Sequence, residues 1–201
     1  MSWTPPKIVS IGNNDPSVSP YLKVWVIQSQ PGGGAIGVCG VIGEGTSQEI
    51  IANWNSPFEE DSLGGGFQKT GGIIQAATGM TSKGEFQSTQ IWEGNRPHTF
   101  NLSLKFYALA DAKKEVMDPI KALEKMIAPQ VNAVAPGGRI PAPVDINIGR
   151  IALYSNCVIA SMTAPLDKEK TKDGYLVRAT VELQIETKTM LSQGDIDRTV
   201  G

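Results

Sequence analysis

The stretch YLVRATVELQIET, Tyr175 to Thr187, constrains the fold more than any other. Tyr175, Val177, Ala179, Val181, Leu183 and Ile185 alternate with Leu176, Arg178, Thr180, Glu182, Gln184 and Glu186. Successive strand residues point to opposite faces, so a period of two describes a strand with one buried and one solvated face. His98 to Tyr107 repeats the pattern, with Phe100, Leu102, Leu104 and Phe106 against Thr99, Asn101, Ser103 and Lys105. Apolar sheet faces of this kind must be covered by a second sheet, by closure, or by a helix.

Other segments read as shorter strands. Tyr21 to Ser29 and Ala35 to Ile42 flank a glycine-rich turn, and Gln48 to Asn55 is a short third strand. Glu85 to Trp92 places Phe86, Ser88, Gln90 and Trp92 on one face and leads through a Gly94-Asn95 turn into His98 to Tyr107. Glu85 to Tyr107 is therefore predicted to be a hairpin. Val144 to Ala164 is one or two strands, and Asp167 to Gly174 is the charged turn before Tyr175.

One helix is predicted before Pro129. Val116, Ile120, Leu123 and Ile127 fall on one stripe of a 3.6-residue period. It either starts at Pro119 with Asp118 as N-cap, or runs through from Lys113 with a kink. Gln130 to Pro143 reads as a loop, residues 1–20 as an irregular arm, and Leu191 to Gly201 as a polar, mobile tail. Pro57 to Gly84 has three glycine clusters and no sustained period; a loop this long in a compact domain is usually functional or ordered by a partner. The 22 glycines and 13 prolines suit a turn-rich β fold. The expected class is α+β, an antiparallel β-sandwich or split barrel with one flanking helix. It forms a single domain over residues 1–201.

Signals of chemistry are weak. Gly32, Gly34 and Gly37 match a dinucleotide-binding spacing, but a β-branched, glycine-broken segment follows where a helix is needed. GGGFQKTGG, Gly64 to Gly72, lacks the glycine before its lysine that a phosphate-binding loop needs. Glu59, Glu60 and Asp61 read as a solvated turn. Asp167 to Gly174 lacks the glycine and terminal glutamate of a calcium loop. One histidine and two distant cysteines, Cys39 and Cys157, make no standard zinc set and no disulfide framework. His98 reads as a surface or edge residue rather than a catalytic base. No catalytic, cofactor or metal residue is expected, and the chain is not expected to be an enzyme. A net charge of −2 gives no footprint for gripping a phosphate backbone. No apolar run spans a membrane, and MSWTPPKIVS is not a secretory signal.

Three segments together resemble a known family: IWEGNRPHTFNLSLKFYALAD, VMDPIKALEKMIAPQ, and GRIALYSNCVIASMTAPLDKEKTKDGYLVRATVELQIET. They are similar to the tube-like proteins of contractile phage tails and related injection systems, above all the adaptors that continue the tail tube at the baseplate. The last segment carries the most specific part: Ala164-Pro165-Leu166-Asp167, then Asp173-Gly174-Tyr175, then Arg178-Ala179-Thr180-Val181. The likeness covers Trp92 to Thr187. The sequence departs from the LysM-bearing relatives in showing no convincing LysM pattern after Thr187, which favours a structural ring component over peptidoglycan binding as the expectation.

The resemblance implies a tail-tube-like fold and a homo-oligomeric ring of six copies. Strands from Glu85 to Tyr107 and Val144 to Thr187 would form the core, with the Ile120, Leu123 and Ile127 stripe on its outer face. Neighbouring tail tube, hub and baseplate proteins would be partners. DNA would pass the lumen without specific binding, and no membrane is involved. The location implied is the virion tail, assembled in the host cytoplasm. Candidate subunit-interface residues are Trp54, Phe58, Phe67, Trp92, Phe100 and Tyr175. The competing expectation is a β-rich ligand- or carbohydrate-binding module of a virion or cell surface, in which the scattered tryptophans would converge.

Overall fold

The computed structural model describes residues 8–12, 15–30, 34–55, 90–132 and 135–199. The chain forms two compact units, Met1–Glu49 with Pro97–Gly201, and Ile50–Arg96. The strands are β1 (Ile8–Ile11), β2 (Lys23–Ser29), β3 (Ala35–Ile42), β4 (Ser47–Glu49), β5 (Ala52–Asn55), β6 (Ile91–Asn95), β7 (Thr99–Tyr107), β8 (Gln130–Asn132), β9 (Ala135–Arg139), β10 (Val144–Ile148), β11 (Ala152–Thr163) and β12 (Arg178–Thr187). The α-helices are α1 (Asp118–Ile127) and α2 (Gln193–Thr199).

The first unit is built on a closed barrel. Its strands follow the order β3-β2-β10-β11-β12-β7, every neighbouring pair antiparallel, and β7 returns to β3 through Val41↔Lys105 and Ile42↔Leu104. Closure removes the two open edges that a flat sheet would expose. The alternating residues meet inside: Leu104 faces Val181, Leu102 faces Leu183 and Phe100 faces Ile185, all buried. Val26, Val38 and Ile146 complete the opposite wall. Phe100 packs on Tyr154 with ring centroids 4.5 Å apart. Two register shifts bend β11, one opposite Val144–Ile146 and one between Ile159 and Ser161. Each puts an extra residue on β11, and such bulges let a long strand turn a barrel corner.

The helix does not sit on the barrel's outer face. α1 touches β1, β3 and β11. Strands β3 and β11 stand opposite each other in the ring, with two strands between them either way round. One helix can reach both only by crossing an end of the barrel. Its buried residues, Ile120, Ala122, Leu123 and Met126, accordingly belong to the same core cluster as the barrel interior. Ile127 is only half-buried, and Met126 takes its place in the stripe.

The helix is continuous, the second of the two readings its sequence allowed. Asp111 caps the start by accepting from the amides of Lys113 at 3.0 Å and Lys114 at 3.2 Å. A π-helical turn, Lys113–Met117, then runs into α1. Asp118 is itself helical, with its amide bonded to the Lys113 carbonyl. The wider turn precedes Pro119, whose ring would otherwise crowd the carbonyl four residues back.

Several expectations are corrected. Of the expected Glu85 to Tyr107 hairpin, residues 85–89 lie outside the described residues; in the described part β6 pairs with β5 rather than β7, and Gly94 and Asn95 lie within β6. The reason is that both edges of β7 are taken, one by β12 along its whole length and the other by β4 and β3. The Gln48 to Asn55 segment is two strands in different sheets. The arm contains β1, paired in parallel with β3. The Gln130 to Pro143 loop contains the β8–β9 pair. The polar C-terminal segment contains α2, begun by a reciprocal cap: the Ser192 amide donates to Asp195 Oδ2 at 3.0 Å, and the Asp195 amide donates to Ser192 Oγ at 3.2 Å. The loop Pro57 to Gly84 lies outside the described residues. The overall class, mainly antiparallel β closed as a barrel with short helices, agrees with the sequence reading.

Candidate functional site

The second unit contributes a two-stranded ribbon, β5 and β6, in which Ala52 faces Asn95 and Trp54 faces Trp92. A register shift at Trp54 makes Glu93 the extra residue of β6. Local bonds hold the shape. Trp92 Nε1 donates to Asn95 Oδ1 at 3.2 Å, Asn55 Nδ2 donates to Glu93 Oε2 at 2.7 Å, and the Arg96 amide donates to the Ile51 carbonyl at 2.9 Å.

None of the described residues from 50 to 55 or 90 to 96 is buried. Trp54 is 54% exposed and Trp92 47%, with Ile50, Ile51 and Ile91 exposed beside them in sequence. Isolated scattered apolar residues on a surface need no explanation, but a group concentrated on and beside one ribbon makes it the candidate interaction surface.

Of the six interface residues expected from sequence, pairing brings together Trp54 and Trp92. Phe58 and Phe67 lie outside the described residues. Phe100 is 1% exposed in the barrel core, so its ring is a packing element. Tyr175 is half-buried where the 167–174 turn closes, its amide donating to Thr171 Oγ1 at 3.2 Å. A bidentate ion pair, Arg178 to Glu169 at 2.5 and 3.0 Å, spans the same turn and holds the Glu169 carboxyl down to about 2.

The polar and reactive groups of the barrel are mostly committed to structure. β3 follows Gly34 directly, a strand where a dinucleotide site needs a helix. Cys39 and Cys157 are free thiols, both buried, and burial pushes them up to about 11 and about 12. Lys23 is buried with its amine donating to the Asp15 carbonyl at 2.6 Å, and Tyr107 donates to Asp15 Oδ2 at 3.2 Å. Ser17 donates to Asp15 from its hydroxyl and its amide, holding that carboxyl below its usual range. Two clefts, of about 400 and 630 Å³, border the Lys168–Glu169 turn and α1; neither is lined by a tryptophan.

His98 is the largest departure from the sequence reading. It is 1% exposed, not a surface residue. Its Nδ1 lies 3.2 Å from Gln48 Nε2, and Gln48 Oε1 accepts from the Tyr154 hydroxyl at 3.4 Å. The His98 amide donates to Thr187 Oγ1 at 3.0 Å, and the His98 carbonyl accepts from the Thr187 amide at 3.0 Å. Burial pushes the imidazole below its ordinary value. No sequence pattern announced this, because Gln48 and Tyr154 are far away in the chain.

Among the described residues no helix is long and apolar enough to cross a membrane. No protein-family model matches the chain, and no curated protein matches it significantly.

Proposed function

We propose that this chain is a structural ring subunit of a contractile tail, continuing or capping the tail tube at the baseplate, with six copies to the ring. The observation that carries the proposal is the exposed ribbon, on which Trp54 stands opposite Trp92 and none of the described residues is buried. A ribbon of this kind is completed by a neighbouring subunit, and a head-to-tail contact that closes makes a ring. The barrel is filled with side chains and crossed by α1, so the passage lies between copies rather than through one.

The outward face of β7 and β12 suits the wall of that passage. It presents Asn101, Lys105, Arg178, Thr180, Glu182 and Glu186, opposite charges in balance. DNA would slide past such a wall without being gripped. The partners would be tube, hub and baseplate proteins, the location the virion tail after assembly in the host cytoplasm, and the role non-enzymatic.

The convergence of two tryptophans also favours the second reading, a carbohydrate-binding module. One experiment separates them. The double variant Trp54→Ser/Trp92→Ser and the unaltered chain are compared by sedimentation and negative-stain microscopy, alone and with cognate tube proteins, and on a glycan array. The ring reading expects closed rings from the unaltered chain and monomers from the variant. A monomer under every condition, with glycan binding lost in the variant, would overturn it.

A further inference from the structure

His98 stands at a junction. β4 ends at Glu49, where the chain leaves for residues 50–96, and His98 follows their return at Pro97. β4 has three residues, all exposed, and pairs with β7 through Ser47↔Asn101, Gln48↔Phe100 and Glu49↔Thr99. The side-chain tie of β4 is Gln48, held between His98 and Tyr154. With the Gln48 amide donating, Nδ1 of His98 accepts, so the neutral ring carries its proton on Nε2. That atom is buried and has no hydrogen-bond partner among the described residues.

We propose that His98 is an acid-sensitive latch: neutral, it holds β4 against β7 through Gln48, and on taking up a second proton it lets β4 go. The added proton turns Nδ1 from acceptor to donor, facing the Gln48 NH2; turning the carboxamide to offer Oε1 instead takes that oxygen from the Tyr154 hydroxyl. It also places a charge in the interior, which is costly without a paired anion.

Among the described residues no anion is in position to pair with it. Glu49 on β4 and Glu186 on β12 both lie opposite Thr99, and adjacent strand residues such as Thr99 and His98 point to opposite faces. Glu49 is exposed and Glu186 half-buried. Lys188 after β12 and Arg96 upstream are exposed cations. On β11, Tyr154 and Cys157 are buried, the thiol pushed up to about 12. Among the described residues the ion pairs are Lys114–Asp111 and Arg178–Glu169, neither involving His98.

The sign follows from burial, which lowers the imidazole in the closed state. The released residue has an ordinary value near 6.5. The latch is therefore fully set above about 6.5 and weakens as pH falls towards the closed-state value, by up to about tenfold in the opening constant per pH unit.

The chain has one histidine, so its imidazole can be followed by NMR without assignment ambiguity. The expected result is a neutral ring protonated on Nε2 that titrates below about 6.5. Hydrogen exchange of the β4 amides, corrected for intrinsic rates, should accelerate between pH 7.5 and 5.5. His98→Phe, which keeps a ring but cannot take a proton, should flatten that dependence. An imidazole titrating at or above about 6.5, or β4 exchange unchanged by pH, would overturn the latch, and both are read on the unaltered chain if the variant does not fold. Acceleration persisting in a folded His98→Phe would overturn it too. The latch does not depend on the ring reading.

Discussion

At Gly149 the backbone has φ +60°, and a Cβ there would collide with the Tyr21 carbonyl oxygen. Arg150 follows at φ 58°, making a tight turn between β10 and β11 of the kind that matches strand twist. Gly149→Ala therefore meets both a left-handed backbone and an immovable carbonyl. It should destabilise the barrel by about 2 kcal/mol or more in urea unfolding. Cys39 and Cys157 make a second expectation at this scale. Buried thiols held at about 11 and about 12 carry almost no thiolate near neutral pH. Both should ignore a thiol reagent in the folded chain and react together on unfolding. Residue identity alone did not disclose His98's burial. A histidine after a Gly-Asn-Arg-Pro segment looks like a strand's exposed beginning, and only the distant Thr187 and Gln48 show otherwise.

The elements were legible where a period was strong. The apolar sets of β7 and β12 point inward as their alternation requires, and Val116, Ile120 and Leu123 are buried as the helical stripe requires. Pairing was less legible. Nothing local to β6 says that β7 has no free edge, because its edges are filled by strands from both ends of the chain. α2 had a readable start, since Ser192-Gln193-Gly194-Asp195 is a capping pattern, but overall polarity suggested a tail. The stripe fails at its end because Ala128 leaves the helix with ψ 138°, so Met126 takes the last buried place. Because α1 closes the end of the barrel, Leu123→Ala should open a cavity there. The expected loss is about 2–5 kcal/mol of stability. Ile127→Ala should cost clearly less, and chemical denaturation of the pair checks the ranking.

For the whole molecule, the two units differ in how much their described residues bury. The barrel has a continuous core, while the described ribbon residues bury none of their side chains. Removing Trp54 and Trp92 should therefore leave the barrel's unfolding midpoint nearly unchanged while changing its assembly, which differential scanning calorimetry beside sedimentation would reveal. The barrel's closure carries a further consequence, in time rather than in strength. Gln28 meets Val144, and Val41 meets Lys105. Contacts between residues on the order of a hundred apart lose much chain entropy before they gain packing, so the chain should fold slowly for its size. A nascent chain ending before β12 cannot close its ring of strands. Synthesis therefore sets an order of events, with barrel closure waiting for the last strand while Trp54 and Trp92 have long been made.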